Sequence, residues 1–219
     1  MAILGLDSSS YLVSLGLVQG HKVLGDVSHL GERRHLGKLI SWLDYLLQEA
    51  GVSRQDLQGI ACVTGPGSFT GLRIGLASMQ GLALALGIPM VGLCSLDVVA
   101  ASVESPRSCV LVNSRGDTFF YATYLQGRLD GEIRVASLAE ILPGLPETTT
   151  VVTPDFEKVV EAAVRYPQLN FRIAIVSGAR VAQLGQILLA KGEGRTADRI
   201  MANYLRDSFT EEIKHVAKV

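Results

Sequence analysis

Residues 64–75 of the chain read T-G-P-G-S-F-T-G-L-R-I-G. A short apolar run at residues 60–63 precedes this stretch, and an apolar pattern of helical period follows it to about Leu86. A strand, a glycine turn and a helix N-terminus in this order can bind phosphate, because unpaired backbone N–H groups and the positive helix end point at one spot. The stretch therefore predicts close approach of another group to the backbone, and leaves the nature of that group open.

Neither common phosphate-binding signature is complete in this stretch. A P-loop requires Lys and then Ser or Thr after its last glycine, whereas Leu72 and Arg73 follow Gly71. A dinucleotide fingerprint that began at Gly65 would need a third glycine where the chain has Thr70. Arg73 is a lone charge in an apolar helix, so it could meet an anion or a partner's carboxylate, or form an ordinary surface salt bridge.

Composition places the chain among soluble globular proteins. Its 219 residues are 48% hydrophobic, enough to bury a core in one large domain or two small ones. A formal charge of −1, from 20 basic and 21 acidic residues, argues against strong nucleic-acid binding by this chain alone, because counterion release needs clustered cations. A partner would therefore hold any nucleic-acid substrate.

Three features predict a cytoplasmic protein. Cys62, Cys94 and Cys109 lie in apolar runs without C-x-x-C spacing, so we expect buried thiols rather than disulfides or metal ligands. The first seven residues have no basic flank or cleavage site and predict no signal peptide. The uncharged residues 74–96 are long enough to cross a membrane, but a glutamine, a glycine and a proline interrupt them and favour a helix, a turn and a strand.

The rest of the chain predicts two units of three strands followed by helices and further strands. The first unit has strands at 3–6, 11–18, 22–27, 60–63 and 89–93, and helices at 32–50, 68–86 and 96–103, the last capped by Ser95. The second has strands at 109–113, 118–125, 132–136, 149–153 and 173–176, and helices at 155–165 and 179–190. Residues 192–219 predict a surface-wrapping or flexible end.

The predicted helix at 32–50 carries aromatic residues away from its core face. Trp42 and Tyr45 fall about 100° or more from the apolar stripe. They either pack on neighbouring elements or form a second contact face, since Trp and Tyr are enriched in interfaces. The stripe itself consists of Leu36, Leu39, Ile40, Leu43, Leu47 and Ala50.

The predicted helix at 68–86 contains three interior glycines, Gly71, Gly75 and Gly81. Each costs about 1 kcal/mol of helix stability relative to alanine. The close approach of another helix would offset that cost, and packing inside the chain's own sheet is the alternative. Gly67 continues the spacing of four, so it lies on the same side as Gly71 and Gly75.

Catalytic motifs are few. His29 and His35 are six residues apart, which fits no helical metal site, and we expect no metal. No G-x-S-x-G nucleophile motif occurs. Asp7, followed by three serines, could bind a metal-nucleotide complex or could be a turn residue at the end of a strand.

The glycine stretch resembles the signature of the bacterial TsaB (YeaZ) family. Other stretches resemble the same family: L-D-S-S at 6–9, His35 leading the first helix, G-L-C-S-L at 92–96, N-S-R at 113–115 with F-Y at 120–121, and Y-L-R at 204–206. The family more often has Ser where this chain has Leu36, and Asp-Ala-Arg where it has Asn113-Ser114-Arg115.

The resemblance implies an α/β fold like those of actin, Hsp70 and sugar kinases, with two RNase-H-like lobes of mixed sheets, at 1–104 and, reduced in size, at 105–219. It further implies a non-catalytic scaffold for N6-threonylcarbamoyladenosine (t6A) synthesis at tRNA adenosine 37. A catalytic paralogue, TsaD, binds the metal and transfers the threonylcarbamoyl group, and a small ATPase, TsaE, joins the complex. Cofactors would then belong to the partners, tRNA would bind through the complex, and no membrane is expected.

The resemblance also implies pairing through the two helices of the first lobe, either with the TsaD-like subunit or as a homodimer. The interface residues that it implies are His35, Leu39, Trp42, Leu46, Gly71, Leu72, Arg73, Gly75, Ser78 and Met79. A bulky residue at Gly75 is expected to weaken pairing and leave the monomer folded. Asp7, Ser8 and Ser9 are the residues expected near a nucleotide.

Two other functions are alternatives. An actin-like ATPase or small-molecule kinase would use the Asp7 turn and the glycine loop, although the phosphate motifs are incomplete. A peptidase, an older label for the wider family, would require a zinc motif or a nucleophile elbow, and the sequence has neither.

Overall fold

A computed structural model describes residues 1–30 and 37–203 of the chain. Within these residues, ten strands form two five-stranded sheets. The first sheet contains β1 (Ala2–Asp7), β2 (Leu12–Gln19), β3 (Lys22–Leu30), β4 (Leu57–Gly65) and β5 (Met90–Cys94). The second contains β6 (Arg107–Arg115), β7 (Thr118–Leu125), β8 (Arg128–Ser137), β9 (Thr150–Thr153) and β10 (Asn170–Ile173).

Both sheets have the same topology. The strand order is β3-β2-β1-β4-β5 in the first sheet and β8-β7-β6-β9-β10 in the second. In each sheet the first three strands of the unit are antiparallel neighbours, and the two later strands extend the sheet in parallel. The repeated strand pattern of the sequence is thus confirmed as a repeated sheet.

Six α-helices cover the sheets in the described residues. They are α1 (Leu39–Ala50), α2 (Phe69–Leu86), α3 (Ser95–Ala100), α4 (Leu138–Ile141), α5 (Val160–Arg165) and α6 (Gly178–Ala190). Short 3-10 turns occur at Arg54–Asp56, Leu142–Gly144, Phe156–Lys158 and Ala197–Arg199.

Helices cover both faces of the first sheet, and side chains of β1 alternate between these two faces. Leu4 and Leu6 pack into the core that α1 and α2 supply. Ile3 points the other way, into a cluster with Ala179 and Ala182 of α6. A helix from the second half of the chain therefore completes the first sheet.

A second core joins the two sheets. It contains apolar residues from β4 and β5, from α3 and α6, and from β6, β7 and β9 of the other sheet. The buried Tyr124 on β7 adds a polar link, because its hydroxyl donates to Asp97 of α3 at 2.7 Å. The predicted lobe boundary at residue 104 falls between α3 and β6, and the division at that residue stays a prediction.

The start of α6 is held against β2 and β3 by polar side chains. Ser177 caps the helix, with its hydroxyl accepting from the N–H of Arg180. The buried Ser14 hydroxyl accepts from the Gly178 N–H at 2.7 Å, and the Asp26 carboxylate accepts from the Ala179 N–H at 2.6 Å. These groups satisfy backbone donors at the helix N-terminus and place a carboxylate where the helix dipole favours it.

Several predicted element bounds differ from the structure. The predicted strand at 173–176 is displaced to β10, because the parallel partner β9 ends at Thr153 and pairing stops after the Ala174 N–H. The predicted helix at 155–165 divides into a 3-10 turn and α5. Ser95 is the first residue of α3 rather than its cap, and its hydroxyl donates to the carbonyl of Pro66 instead.

The structure describes only part of the first predicted helix and only part of the predicted tail. Helix α1 begins at Leu39, and residues 31–36 lie outside the described residues. Arg195 pairs with Met90 at the edge of β5, so the start of the predicted tail packs on the first sheet. Residues 204–219, with the Y-L-R stretch, lie outside the described residues.

Replacing Ser14 with alanine is expected to lower the free energy of unfolding by about 1–3 kcal/mol, because the Gly178 N–H loses its acceptor in a buried position. Ser28→Ala is the matched control: Ser28 belongs to the same hydrogen-bond cluster but gives α6 no bond. Its effect should stay within about 0.5 kcal/mol. Urea denaturation of the two variants measures the difference, and equal losses would contradict the assignment.

Candidate functional site

The glycine loop connects the end of β4 to the start of α2. Gly65 has a φ of 111°, a left-handed backbone conformation that favours glycine. Ser68 is the N-cap of α2, and its hydroxyl accepts from the Gly71 N–H at 3.3 Å. Strand, turn and helix N-terminus thus follow in the predicted order.

The glycine side of α2 faces the turn that follows β1. A Cβ added at Gly67 would collide with the carbonyl oxygen of Ser9, and one at Gly71 with that of Ser8. A Cβ at Gly75 would collide with the Ser8 hydroxyl. The spacing of four therefore serves packing inside the chain, which was the alternative explanation for these glycines, and not the approach of a partner helix at these three positions.

Hydrogen bonds lock this turn onto the loop. The N–H of Ser68 donates to the carbonyl of Ser9 at 2.7 Å, and the N–H of Leu72 donates to the carbonyl of Ser68 at 2.9 Å. The Ser8 hydroxyl donates to the carbonyl of Gly71 at 3.0 Å. The N–H groups of Ser68 and Gly71, two of the four N-terminal donors of α2, therefore already have acceptors within the chain, where a phosphate cradle would leave such donors for its ligand.

Asp7 acts as a turn residue in this arrangement. Only 4% of it is exposed, and its carboxylate accepts from the Ser9 N–H at 2.8 Å. Burial raises the pKa of Asp7 above its usual 3.8, and hydrogen bonds from the Ser9 hydroxyl and N–H offset part of that rise. In the part of the chain that the structure describes, no three His, Cys, Asp or Glu residues form a group that could hold a metal ion.

The second sheet has a corresponding polar segment at the end of β6. The N–H of Asn113 donates to the Asp155 carboxylate at 2.8 Å, and the Asn113 side-chain amide donates to the carbonyl of Gly116 at 3.0 Å. Burial raises the pKa of Asp155, while the Asn113 N–H and the nearby Lys158 lower it. The Asn113-Ser114-Arg115 segment is thus tied to the loop that follows β9, as the Asp7 turn is tied to the loop that follows β4.

Burial separates the residues that were predicted at a partner interface. Leu39, Leu46, Leu72 and Met79 lie in the core beneath α1 and α2, so a partner on the outer surface of these helices would not contact them. Gly71 and Gly75 face the Ser8 turn and are equally enclosed. His35 lies outside the described residues.

The aromatic residues of α1 divide between the two explanations offered for them. Trp42 is half-buried, packs against the first core and stacks at 5.3 Å between ring centroids with His29 of β3. Tyr45 is exposed. The predicted core stripe also needs correction, because Ile40 is exposed and Leu46 takes its place in the core.

The outer face of α2 is apolar and carries one charge. Arg73 is the charged residue of this helix, and its guanidinium lies 3.8 Å from the centroid of the Phe69 ring. Ser78 is half-buried and donates its hydroxyl to the carbonyl of Ile74. A Cβ at Gly81 would meet nothing within 4 Å in the part of the chain that the structure describes. The exposed residues of this face are Phe69, Arg73, Ile74, Ala77, Gly81, Leu84 and Ala85.

The outer surface of α2 carries several exposed apolar side chains. By length and composition this helix could cross a membrane, and 33% of it is buried inside the chain. Leu84 is 66% exposed and Ile74 38%. Apolar side chains clustered on one exposed helix face are a feature by which interaction sites are recognised.

Comparison with known proteins agrees with this geometry. A family model described as TsaD, tRNA N6-adenosine threonylcarbamoyltransferase, matches residues 22–218. The crystal structure of YeaZ from Pseudomonas aeruginosa is similar, with a TM-score of 0.79 and 26% identity over 93% of this chain and 99% of that chain. The ethanolamine utilization protein EutJ from Carboxydothermus hydrogenoformans shares the fold, with a TM-score of 0.53 and 14% identity over 84% of this chain and 88% of that chain.

Curated relatives match shorter stretches. An uncharacterized protein of Mycobacterium tuberculosis is 32% identical over 65% of this chain and 68% of its own length. The tRNA threonylcarbamoyladenosine biosynthesis protein TsaB of Bacillus subtilis is 32% identical over 47% of this chain and 44% of its own length. For TsaB of Escherichia coli the identity is 30%, over 57% and 55%. The matches to the two TsaB proteins thus span about half of each relative.

The duplicated mixed sheets and the loops at the ends of β1, β4 and β6 define a protein with the actin-like ATPase fold. The fold predicted from the resemblance is therefore confirmed. Within this fold, the chain belongs to the TsaD family, and its resemblance to the TsaB (YeaZ) members is confirmed by the named relatives and the structural match.

Replacing Gly71 with alanine is expected to lower the free energy of unfolding by about 1–3 kcal/mol, because the new Cβ collides with the Ser8 carbonyl and the backbone must shift. Gly81→Ala in the same helix is the control. Since Gly81 has open space, that change should raise stability by up to about 1 kcal/mol. Thermal and chemical denaturation report both effects, and a neutral Gly71→Ala would contradict the packing role.

The buried carboxyl of Asp7 predicts a pH-dependent difference between the native protein and Asp7→Asn. An acid with a raised pKa binds its proton more tightly in the folded than in the unfolded chain, so its contribution to stability falls as pH rises above the usual value of 3.8. The asparagine keeps an oxygen for the Ser9 N–H and does not ionise. The free energy of unfolding of Asp7→Asn minus that of the native protein should therefore increase from pH 4 to pH 7. A difference that stays constant or decreases over this range would contradict the raised pKa.

Proposed function

We propose that this chain is the non-catalytic partner subunit of a tRNA threonylcarbamoyltransferase complex that makes t6A at adenosine 37. Membership in the family supports a role in tRNA threonylcarbamoyladenosine biosynthesis. The observation that carries the finer assignment is the outer face of α2, which is apolar, carries one charge and contains the open Gly81.

The hydrogen bonds of the glycine loop favour a non-catalytic subunit over a nucleotide-binding catalytic one. A nucleotide-binding loop needs free backbone donors at the helix N-terminus. Here the Ser9 carbonyl accepts from the Ser68 N–H, and the Ser68 hydroxyl accepts from the N–H of residue 71. The Asp7 carboxylate accepts from the Ser9 N–H. We therefore assign ATP, the metal and the transfer chemistry to the partner subunits, in cytoplasmic complexes that hold the tRNA jointly.

The surface proposed for the TsaD-like subunit comprises the outer faces of α1 and α2. Gly81 allows a partner helix to approach closely, because a Cβ there has no neighbour within 4 Å in residues 1–30 and 37–203. Ile74 and Leu84 flank it with exposed apolar area, and Tyr45 extends the surface onto α1. Arg73 at the end of this surface suits a carboxylate of the partner. Without the partner, the same face would pair two copies of the chain, and a TsaE-like ATPase would bind the assembled pair.

Reconstitution tests the role directly. A TsaD-like subunit and a TsaE-like ATPase, supplied with threonylcarbamoyl-AMP and unmodified tRNA, should form t6A with this chain present and form little without it. Calorimetry of the isolated chain with Mg-ATP is the companion measurement. Tight Mg-ATP binding, or t6A formation that does not depend on the chain, would overturn the proposal and favour an ATPase or kinase.

Gly81→Leu is expected to abolish or strongly weaken pairing and to leave the monomer folded, because the leucine fills the space that a partner helix needs, while a Cβ at this position meets none of the described residues within 4 Å. A loss of at least about tenfold in affinity is expected from overpacking a close helix contact. Size-exclusion chromatography and calorimetry with the TsaD-like subunit measure it. Gly81 is a better position for this test than Gly75, since a bulky residue at Gly75 would disturb the monomer.

Val164→Arg serves as the control for this experiment. Val164 is a highly exposed apolar residue of α5, associated with the second sheet. It should leave pairing unchanged. Equal effects of the two variants, or undiminished pairing of Gly81→Leu, would remove α2 from the interface.

A further inference from the structure

A cavity of about 270 Å³ lies between the edge of β5 and the segment that follows α6. Its walls combine Gly92 and Thr64 of the first sheet with Leu188 of α6 and with residues 193–201. This volume lies just below the usual range for small-molecule sites, which begins near 300 Å³. The cavity shares Thr64 with the start of the glycine stretch and has no lining residue from α2.

The wall formed by residues 194–203 is fixed to the rest of the chain at three places. Arg195 exchanges two backbone hydrogen bonds of 2.8 Å with Met90. The Gln80 amide of α2 donates to the carbonyls of Ala197 and Ile200 at 2.8 and 2.9 Å. The N–H of Asn203 donates to the carbonyl of Thr64 at 2.7 Å. Hydrogen bonds therefore fix the backbone that carries the side chains of this segment.

Two arginines of this segment line the cavity together with one acid. Arg195 and Arg199 are exposed, and Glu193 is the acid. Arg195 donates to the carbonyl of its neighbour Gly194 at 3.4 Å, and Arg199 lies 3.7 Å from the exposed carboxylate of Asp198. Exposed pairs at such distances contribute little. Both guanidinium groups can therefore turn to a stronger acceptor without losing a buried partner.

The edge of β5 adds a backbone donor to the same place. The Ile60 N–H donates to the carbonyl of Pro89, so the alternation of the parallel ladder turns Val91 and Leu93 toward β4. Met90 and Gly92 then point their backbone groups at the outer edge. Arg195 takes those of Met90, and within the described residues no backbone hydrogen bond takes the N–H of the exposed Gly92.

We propose that this cavity binds a small molecule that carries an oxyanion, either a carboxylate or a phosphate, next to an apolar group. Arg195, Arg199 and the Gly92 N–H supply the donors, and Arg is suited to planar recognition of both oxyanions. Leu188, Ile200 and Met201 supply the apolar wall. Glu193 at the same cavity offsets part of the positive charge of the two arginines. The proposal is independent of the partner-subunit role.

NMR titration of the full-length chain tests this site. Phenyl phosphate and hexanoate, in separate experiments, serve as probes with an apolar group and a phosphate or a carboxylate, and inorganic phosphate serves as the probe without the apolar group. A saturable shift of the Gly92 amide is expected with at least one of the first two probes, at lower concentration than with inorganic phosphate. The arm that binds more tightly identifies the oxyanion.

Arg195→Gln combined with Arg199→Gln should weaken binding by about tenfold or more, because each charge-assisted hydrogen bond is worth that much. Arg128→Gln, an exposed arginine at the start of β8, is the matched control and should bind like the native chain. Melting curves of both variants check that the fold is kept. Absence of a saturable shift at Gly92, or equal binding by the double variant and the control, would overturn the proposal.

Discussion

The packing of the Ser8–Ser9 turn into the glycine side of α2 is the constraint on which the rest of the structure depends. Gly67, Gly71 and Gly75 leave no room for a Cβ, so the end of β1 lies directly against the start of α2. This contact joins a turn and a helix more than 60 residues apart and sets the position of α2 on the first sheet. Everything that α2 presents to the outside follows from it.

The same contact separates the two uses of glycine in one helix. At Gly71 and Gly75 the helix propensity lost is offset by packing and hydrogen bonds with the Ser8 turn. At Gly81 no contact of a described residue offsets it. A helix glycine whose loss of stability is not offset by internal packing is expected at a functional surface, where local propensity is sacrificed for a contact with another molecule.

Much of the fold could be predicted from the sequence, and the division of α2 into an inner and an outer face could not. The strand pattern and the glycine spacing of four are local features, so they were readable. Helix α2 is apolar over most of its circumference, so its period does not tell which face is buried. Leu72 and Met79, which the resemblance implies at an interface, are buried within the chain. The partner of the glycine face, Ser8, is distant in sequence, and only the folded chain brings it there. Similarly, β10 is displaced from the predicted strand because the length of β9, rather than the apolar run, sets where pairing stops.

A closed glycine loop and a firm docking surface have the same physical origin. A loop that receives a nucleotide must keep its donors free, whereas here the Ser9 carbonyl and the Ser68 hydroxyl accept from two of the donors, and the first of these bonds ties the loop to the turn after β1. The first turn of α2 is thereby held at its cap, and Gln80 holds the middle of the helix to the segment after α6. A preorganised face loses less entropy on association than a mobile one. On the proposed role, the features that make this loop a poor nucleotide site are the ones that make α2 a good surface for a catalytic partner.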